Sequence, residues 1–171
     1  MDNVLVFNIS YTPSETLIRT ELERVMDDIA EYMNLNLPSL IIQFLLGMCI
    51  NLFVTIPIVN GFSMAGFRPT YSGFPVVMIH MFLGMLIGLT SIGILVLSIF
   101  HGSSKILIAS AALFLSVLMA GINGLFFLFY GQNNLNSYLM STGFILAVLF
   151  SMLLLTFSGQ ANQYSRKEMQ G

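Results

Sequence analysis

Charged residues are scarce in this chain, and their scarcity indicates its class. Only 8% of its 171 residues are Asp, Glu, Lys or Arg, whereas about 25% of a typical soluble domain is charged. Three long intervals contain none between their end residues: Glu31 to Arg68, Arg68 to Lys105 and Lys105 to Arg166. A soluble protein of this size needs charge to cover its surface, so these intervals indicate that lipid is the solvent.

Cysteine and basic clusters are also lacking. The single cysteine, Cys49, cannot form an internal disulfide, which excludes the four-helix membrane enzymes that exchange disulfides through cysteine pairs. A net charge of -2 without a Lys/Arg cluster excludes a basic nucleic-acid binder. The N-terminus has no basic start followed by a long apolar run and a small-residue cleavage site. Residues 1–38 are therefore predicted to be retained rather than removed as a signal peptide.

Apolar residues, in contrast, make up 56% of the chain and are concentrated in four stretches. A helix needs about 20 of them to cross the ~30 Å hydrocarbon core of a bilayer. Turn-forming residues separate the four predicted spans, which lie at about 39–60, 73–100, 106–130 and 138–158. The pattern predicts an all-α membrane protein, with a four-transmembrane-helix bundle over residues 37–160 and a short polar C-terminal tail over 161–171.

The distribution of Lys and Arg near the helix ends predicts the orientation of the bundle. With four spans, the N-terminal segment, the turn near residues 101–105 and the C-terminal tail share one side of the membrane. That side carries five basic residues, and the other carries only Arg68: the five are Arg19, Arg24, Lys105, Arg166 and Lys167. The excess predicts a multi-pass protein of the plasma membrane with both termini in the cytoplasm.

The N-terminal segment, residues 1–36, has a different pattern. Residues 12–15 match a capping box with proline at the first helical position, and an amphipathic cytoplasmic helix is predicted over about 13–34. Residues 10–34 hold six acids and two bases, whereas a helix lying on anionic lipid is expected to be basic. We therefore expect its apolar face to dock on the bundle's cytoplasmic end or on a partner protein. That face comprises Ile18, Leu22, Val25 and Ile29.

Small residues recur within the predicted spans. Because lipid gives helices no hydrophobic reason to associate, membrane helices pack closely through such residues. The residues predicted to carry helix packing are Gly47 in the first span, Gly84 and Gly88 in the second, and Ala120 and Gly124 in the third. The simplest interpretation of the glycines is packing and nothing more.

Polar side chains in the spans are predicted to form a layer in the outer half of the membrane. His80 lies seven residues inside the second span, and Asn123 lies seven residues inside the third. Seven residues correspond to about 10 Å of helix. Asn51 comes nine residues before the predicted end of the first span. The layer is the candidate site of the chain.

His80 admits three interpretations, because an ionisable residue inside a membrane is costly and is a functional candidate. In the first, its imidazole is neutral and bonds to Asn123 or Asn51, so that it fixes how the helices pack. In the second, His80 ligates the iron of a b-type haem, with Gly84 providing space for the porphyrin. A second ligand would have to be Met, a partner's side chain or another copy's His80, since His101 is about 31 Å away along the helix. In the third, a quinol headgroup bonds to His80 and Asn123.

Independent catalysis is not expected. The spans hold no Asp, Glu, Lys or Arg, which are the usual parts of proton relays and cation-coupled transporters. The sequence contains no metal-protease motif or phosphate-binding loop, and no serine, histidine and acid set in one place.

The order of several short motifs carries a resemblance. Phe74-Pro75 is followed by His80 and Gly84, then by the segments 120–126 and 137–144, which read Ala-Gly-Ile-Asn-Gly-Leu-Phe and Ser-Tyr-Leu-Met-Ser-Thr-Gly-Phe. In residues 73–158 the chain resembles small uncharacterised four-helix membrane proteins of archaea and some actinobacteria, which have a histidine early in the second span. The resemblance implies a fold and no activity.

Two hypotheses follow. The first is a non-catalytic integral membrane subunit of a larger membrane complex, such as a respiratory complex, that contributes helix packing and docks other subunits. The second is a small redox module that binds b-type haem or quinone at His80, with Asn123 and Asn51 in the pocket. The partners expected are the lipid bilayer and other membrane-protein subunits.

Overall fold

The computed structural model describes residues 13–55, 73–130 and 133–170, and these residues form four long helices without strands. The helices are α1 (Pro13–Phe53), α2 (Phe74–His101), α3 (Ser104–Phe129) and α4 (Asn134–Gln170). Each contains a segment long and apolar enough to cross a membrane: Arg24–Phe53, Phe74–His101, Ser104–Phe129 and Asn134–Gly159.

The helices form a ring in chain order. α1 contacts α2 and α4, and α3 contacts α2 and α4, with the most extensive packing between α3 and α4. Among the described residues, the backbones of the diagonal pairs, α1 with α3 and α2 with α4, lie further apart. The closest packing thus joins antiparallel neighbours, as in an up-down-up-down bundle. The predicted four-helix bundle is consistent with this arrangement.

The α2–α3 turn is tight because one residue adopts a left-handed conformation. Gly102 caps α2 with φ of 73°, a backbone geometry that glycine adopts without the steric cost that a Cβ imposes. Ser103 then returns to extended geometry and α3 begins at Ser104. At the other end of α2, Pro75 occupies the first turn, where its missing N–H has no helical partner to lose.

The buried face of α1 follows a heptad pattern. Its buried residues are separated alternately by three and four positions, the spacing that keeps one stripe facing a partner helix in left-handed coiled-coil packing. The stripe consists of Met26, Ile29, Met33, Asn36, Leu40, Gln43, Gly47 and Ile50. It continues without interruption from the acidic segment into the apolar one.

The structure therefore differs from the sequence prediction at the N-terminus. The predicted amphipathic helix and the first span are one continuous helix, which passes through Pro38. Proline removes one backbone hydrogen bond but does not stop the helix, because burial of Met33, Asn36 and Leu40 holds both sides of it on the same neighbours. At its other end α1 stops at Phe53, earlier than expected, and residues 56–60 of the predicted span lie outside the described residues.

The hydroxyl groups of the buried serines form hydrogen bonds within their own helices. Each donates a hydrogen bond to a backbone carbonyl three or four residues earlier in the same helix, as Ser98 does to Ile94 and Ser151 to Ala147. The same geometry recurs at Ser91, Ser110, Ser116 and Ser158. These residues thus provide small volume in the interior without requiring a partner from another helix.

The backbones of α3 and α4 approach each other closely at Gly143. A Cβ added there would lie 2.8 Å from the carbonyl oxygen of Ser116 and 2.9 Å from both the backbone nitrogen and the Cβ of Ala120. Two of these three atoms belong to the backbone, which has no rotamer with which to yield. α3 and α4 can pack this closely because residue 143 has no side chain.

We predict that Gly143→Ala destabilises the bundle by about 1–3 kcal/mol, because α3 and α4 must separate to accommodate the methyl group. Gly121→Ala is the matched control, since a Cβ at Gly121 meets no atom within 4 Å and alanine favours a helix by up to about 1 kcal/mol. Unfolding in mixed micelles, followed by circular dichroism, measures both variants. Equal stabilities would contradict the close contact.

Candidate functional site

Gln43 and His80 form the main polar contact between α1 and α2. The amide nitrogen of Gln43, Nε2, donates to the backbone carbonyl oxygen of His80 at 2.9 Å. The same nitrogen lies 3.4 Å from Nε2 of the imidazole. Gln43 is 3% exposed and His80 is half-buried, so the contact is partly shielded from solvent.

Two glycines make room for the pair. A Cβ added to Gly84 would lie 2.8 Å from the Gln43 amide nitrogen, and one added to Gly47 would lie 3.2 Å from Cε1 of His80. Each helix thus presents a long polar side chain and, four residues along, a glycine. Because the helices are antiparallel, Gln43 packs on Gly84 while His80 packs on Gly47, and the two helices interlock.

The contact of the Gln43 amide nitrogen with the imidazole is the longer of the two, and its donor and acceptor depend on the tautomer of His80. Nδ1 is buried and has no hydrogen-bond partner among the described residues, and the same is true of Oε1 of Gln43. Gln43 therefore contacts His80 through its amide nitrogen and not through Oε1, and the imidazole contacts Gln43 through Nε2 and not through Nδ1.

A second polar contact lies two helical turns away on the same interface. The hydroxyl of Thr90 donates to Oδ1 of Asn36 at 3.1 Å and to the carbonyl of Ile87 at 2.9 Å. Asn36 is 2% exposed, and its Nδ2 has no partner in the described part of the chain. We call the set Asn36, Gln43, His80 and Thr90 the α1–α2 seam.

The structure does not bring Asn123 or Asn51 to His80 through a hydrogen bond. The Asn123 amide donates to the carbonyl of Met119 in its own helix at 2.8 Å. Asn51 is exposed and lies two residues before the end of α1, because the helix stops at Phe53. Neither asparagine of the predicted layer thus bonds to His80, and the seam extends from His80 towards the α2–α3 turn, to Asn36 and Thr90.

The surroundings of His80 leave little space for a large cofactor. Gly47 lies against its ring, and the terminal carbon of Met140 approaches the same glycine, 3.7 Å from an added Cβ. The neighbouring groove between α1 and α4 encloses about 30 Å³, which holds one or two water molecules. Small-molecule sites typically measure 300 Å³ or more.

The remaining predicted packing residues differ in their surroundings. Gly124 faces the sulfur of Met140, 3.4 Å from an added Cβ, and Ala120 is buried against Gly143. Gly88 has no atom within 4 Å of an added Cβ. The space beside Gly84 is thus occupied by Gln43, whereas Gly88, four residues later, faces open space.

The predicted docking face of α1 is partly used by the chain itself. Ile29 is fully buried in the core formed with α2, α3 and α4, and Val25 packs against that core. The side chains of Ile18 and Leu22 lie outside the described part of the structure. Of the two surfaces proposed for this face, the bundle therefore occupies the portion around Ile29.

Three residues of the seam were absent from the predicted site: Gln43, Asn36 and Thr90. A signal for the first two existed in the sequence, because Asn36 and Gln43 are seven residues apart and continue the heptad spacing of Ile29 and Met33. A constant spacing of four residues, by contrast, joins Gln43 and Gly47 to Asn51, which lies outside the stripe.

Comparisons with known proteins add no relative. The chain matches no protein-family model, and neither the search of curated proteins nor that of solved structures finds a significant similarity.

We predict that Gln43→Ala destabilises the bundle by about 1 kcal/mol, which lies within the range of one hydrogen bond between helices in a membrane. Asn123→Ala is the control, because its amide bonds only to its own helix and its loss should cost less. A double-mutant cycle with His80→Ala adds a finer test. The stronger bond goes to the His80 backbone and survives that change, so the coupling should be smaller than the full Gln43→Ala effect. Equal costs for Gln43→Ala and Asn123→Ala would argue against the seam.

Proposed function

We propose that this chain is a non-catalytic integral membrane subunit that crosses the plasma membrane four times and docks other subunits of a larger membrane complex. In this proposal the bundle provides a rigid scaffold, and its cytoplasmic end provides the contacts with partners. The observation that carries the membrane assignment is the length of the apolar belt on the outside of the bundle.

The belt has nearly the same height on every helix. Apart from Leu17 and Tyr32 near the start of α1, large apolar side chains are exposed from Leu35 to Phe53 on α1 and over similar lengths elsewhere, namely Ile79–Phe100 on α2, Leu107–Phe126 on α3 and Leu135–Leu153 on α4. At 1.5 Å per residue these segments measure about 27 to 32 Å, which matches the ~30 Å hydrocarbon core of a bilayer. A soluble protein would not leave such a surface in contact with water.

The ends of the belt differ in the way that membrane orientation requires. Tyr130 and Tyr138 are exposed at one end, where amphipathic rings favour the headgroup region. Lys105 and Arg24 are exposed at the other end. The excess of basic residues at the second end supports a cytoplasmic location for both termini.

The seam supports a structural role for His80. Gln43 contacts both its imidazole and its backbone carbonyl, and Gly47 packs against the ring. The alternative, a redox module with b-type haem or quinol at His80, requires this packing to open. A haem band in the spectrum of the purified protein that disappears in His80→Ala would contradict the structural role.

The cytoplasmic end offers a surface for a partner protein. The pairing of Gln43 with Gly84 places Arg24 level with Ser103 in the α2–α3 turn, so Pro13–Glu23 extends about 16 Å beyond that turn. On the adjoining part of α1 the acidic side chains of Glu21, Asp27 and Glu31 are exposed. An exposed acidic helix that projects from a membrane bundle suits a partner with a basic surface.

The orientation predicts the pattern of chemical labelling in whole cells. In a Cys49→Ser background, single cysteines at two exposed positions, Ser104→Cys and Asn134→Cys, lie at opposite ends of the bundle. A maleimide that cannot cross membranes should label Asn134→Cys in intact cells and Ser104→Cys only after permeabilisation. Equal labelling of the two before permeabilisation would refute four spans, and the reverse pattern would refute the orientation.

Docking through the acidic face predicts a selective loss of companion subunits. Glu21→Lys combined with Glu31→Lys should reduce the amount of co-purified partner while leaving thermal stability nearly unchanged, since exposed charges contribute about 0–1 kcal/mol. Asn134→Lys, which adds a charge at the opposite end, is the control. Purification of the unmodified chain from native membranes as a free monomer would count against the subunit role.

A further inference from the structure

We propose that the outer end of the α1–α4 interface is a lipid-binding groove that selects an uncharged lipid with a hydroxyl headgroup. The proposal rests on the membrane assignment above and concerns a surface that no role described so far uses. The groove is lined by Phe44, Gly47, Met48, Asn51, Ser137, Met140, Ser141 and Phe144.

The groove exists because of how side chains are distributed on the two helices. Gly47 lines the groove without a side chain, and Met140 turns towards the interior, where its sulfur faces Gly124. The rings of Phe44 and Phe144 meet edge to face at 6.4 Å and close the lower end. The space is small where it is enclosed, and reaches about 260 Å³ when the open mouth is included.

The groove changes from apolar to polar along its length, as a lipid does from its chains to its headgroup. Its lower part is apolar, with Phe44 and Phe144. Its upper part carries Asn51, Ser137 and Ser141, near the end of α1 and the start of α4. Tyr138, beside Ser137 in sequence, is exposed at this end, the position of the headgroup region. A chain lying in the groove would place its head among polar side chains and its tail against the rings.

The side chains at the upper end fit a hydroxyl rather than a phosphate. The Asn51 amide can both donate and accept, and its side chain is exposed at the groove. The Ser141 hydroxyl donates to the carbonyl of Ser137 and keeps its lone pairs for a donor from the ligand. The lining contains no Lys or Arg, the residues that bind phosphate groups. A neutral diacylglycerol-type lipid meets these requirements.

The absence of tryptophan from the chain allows a direct test by fluorescence quenching. A single tryptophan is introduced by Leu45→Trp, next to Phe44 at the groove, or by Phe82→Trp on the outer face of α2. These positions are 55% exposed for Leu45 and 61% exposed for Phe82. The contacts of Gln43 with Gly84 and of Gly47 with His80 place them at the same depth. Each variant is reconstituted in phosphatidylcholine vesicles with a small fraction of diacylglycerol carrying brominated chains.

The expected result is excess quenching at Leu45→Trp relative to Phe82→Trp, by about three- to tenfold in apparent affinity, as one or two hydrogen bonds in a membrane provide. The excess should disappear in the Leu45→Trp variant that also carries Asn51→Leu. It should also disappear when the hydroxyl of the brominated lipid is acetylated, a comparison that does not depend on the folding of a further variant.

Equal quenching at the two positions would overturn the proposal. Excess quenching that survives both Asn51→Leu and acetylation would overturn the headgroup selectivity. If neither brominated diacylglycerol nor brominated phosphatidylcholine quenches Leu45→Trp, while Phe82→Trp is quenched, a protein rather than a lipid covers the groove. If brominated phosphatidylcholine quenches neither tryptophan, the chain does not lie in the bilayer, and the failure belongs to the membrane assignment.

Discussion

The arrangement of the bundle depends on an exchange of side chains between antiparallel helices at glycine. Gln43 occupies the space above Gly84, and His80 occupies the space above Gly47. Each helix supplies both a long side chain and the open space above a glycine. A shift of one helix along the other would therefore make side chains clash. The register of α1 and α2 is thereby specified at two points, and Met140 extends the same kind of contact from α4 to Gly47 and Gly124.

Polar groups in the interior serve different purposes according to the bonds they make. The buried serines bond within their own helices and so occupy little volume at little cost. Gln43, His80, Asn36 and Thr90 bond across α1 and α2 instead. Such bonds in a membrane contribute only about 0.6–2 kcal/mol each, because the separated helices also find partners. The seam therefore contributes more to the choice of register than to total stability.

The two ends of the bundle differ in chemistry because the helices differ in length. α1 and α4 are 41 and 37 residues long, whereas α2 and α3 have 28 and 26. The excess length of α1 carries most of the charged residues at one end, beyond the apolar belt. At the other end α1 stops near the start of α4, and the groove with Asn51 and Ser137 opens there. Under the two proposals above, the charged end contacts protein partners and the polar groove at the opposite end contacts lipid.

The sequence by itself determined the helices, since apolar segments long enough for a bilayer are a local property. The predicted spans at 73–100 and 106–130 fall within two residues of α2 and α3 at both ends. It also singled out His80, Gly47 and Gly84, because polar and small residues stand out in an apolar run. Only the tertiary structure decided that α1 is continuous through Pro38, and that Gln43, rather than Asn123 or Asn51, meets His80. The reason is that a partner across an interface depends on the rotation and register of two helices, which are set by the packing of all four helices together.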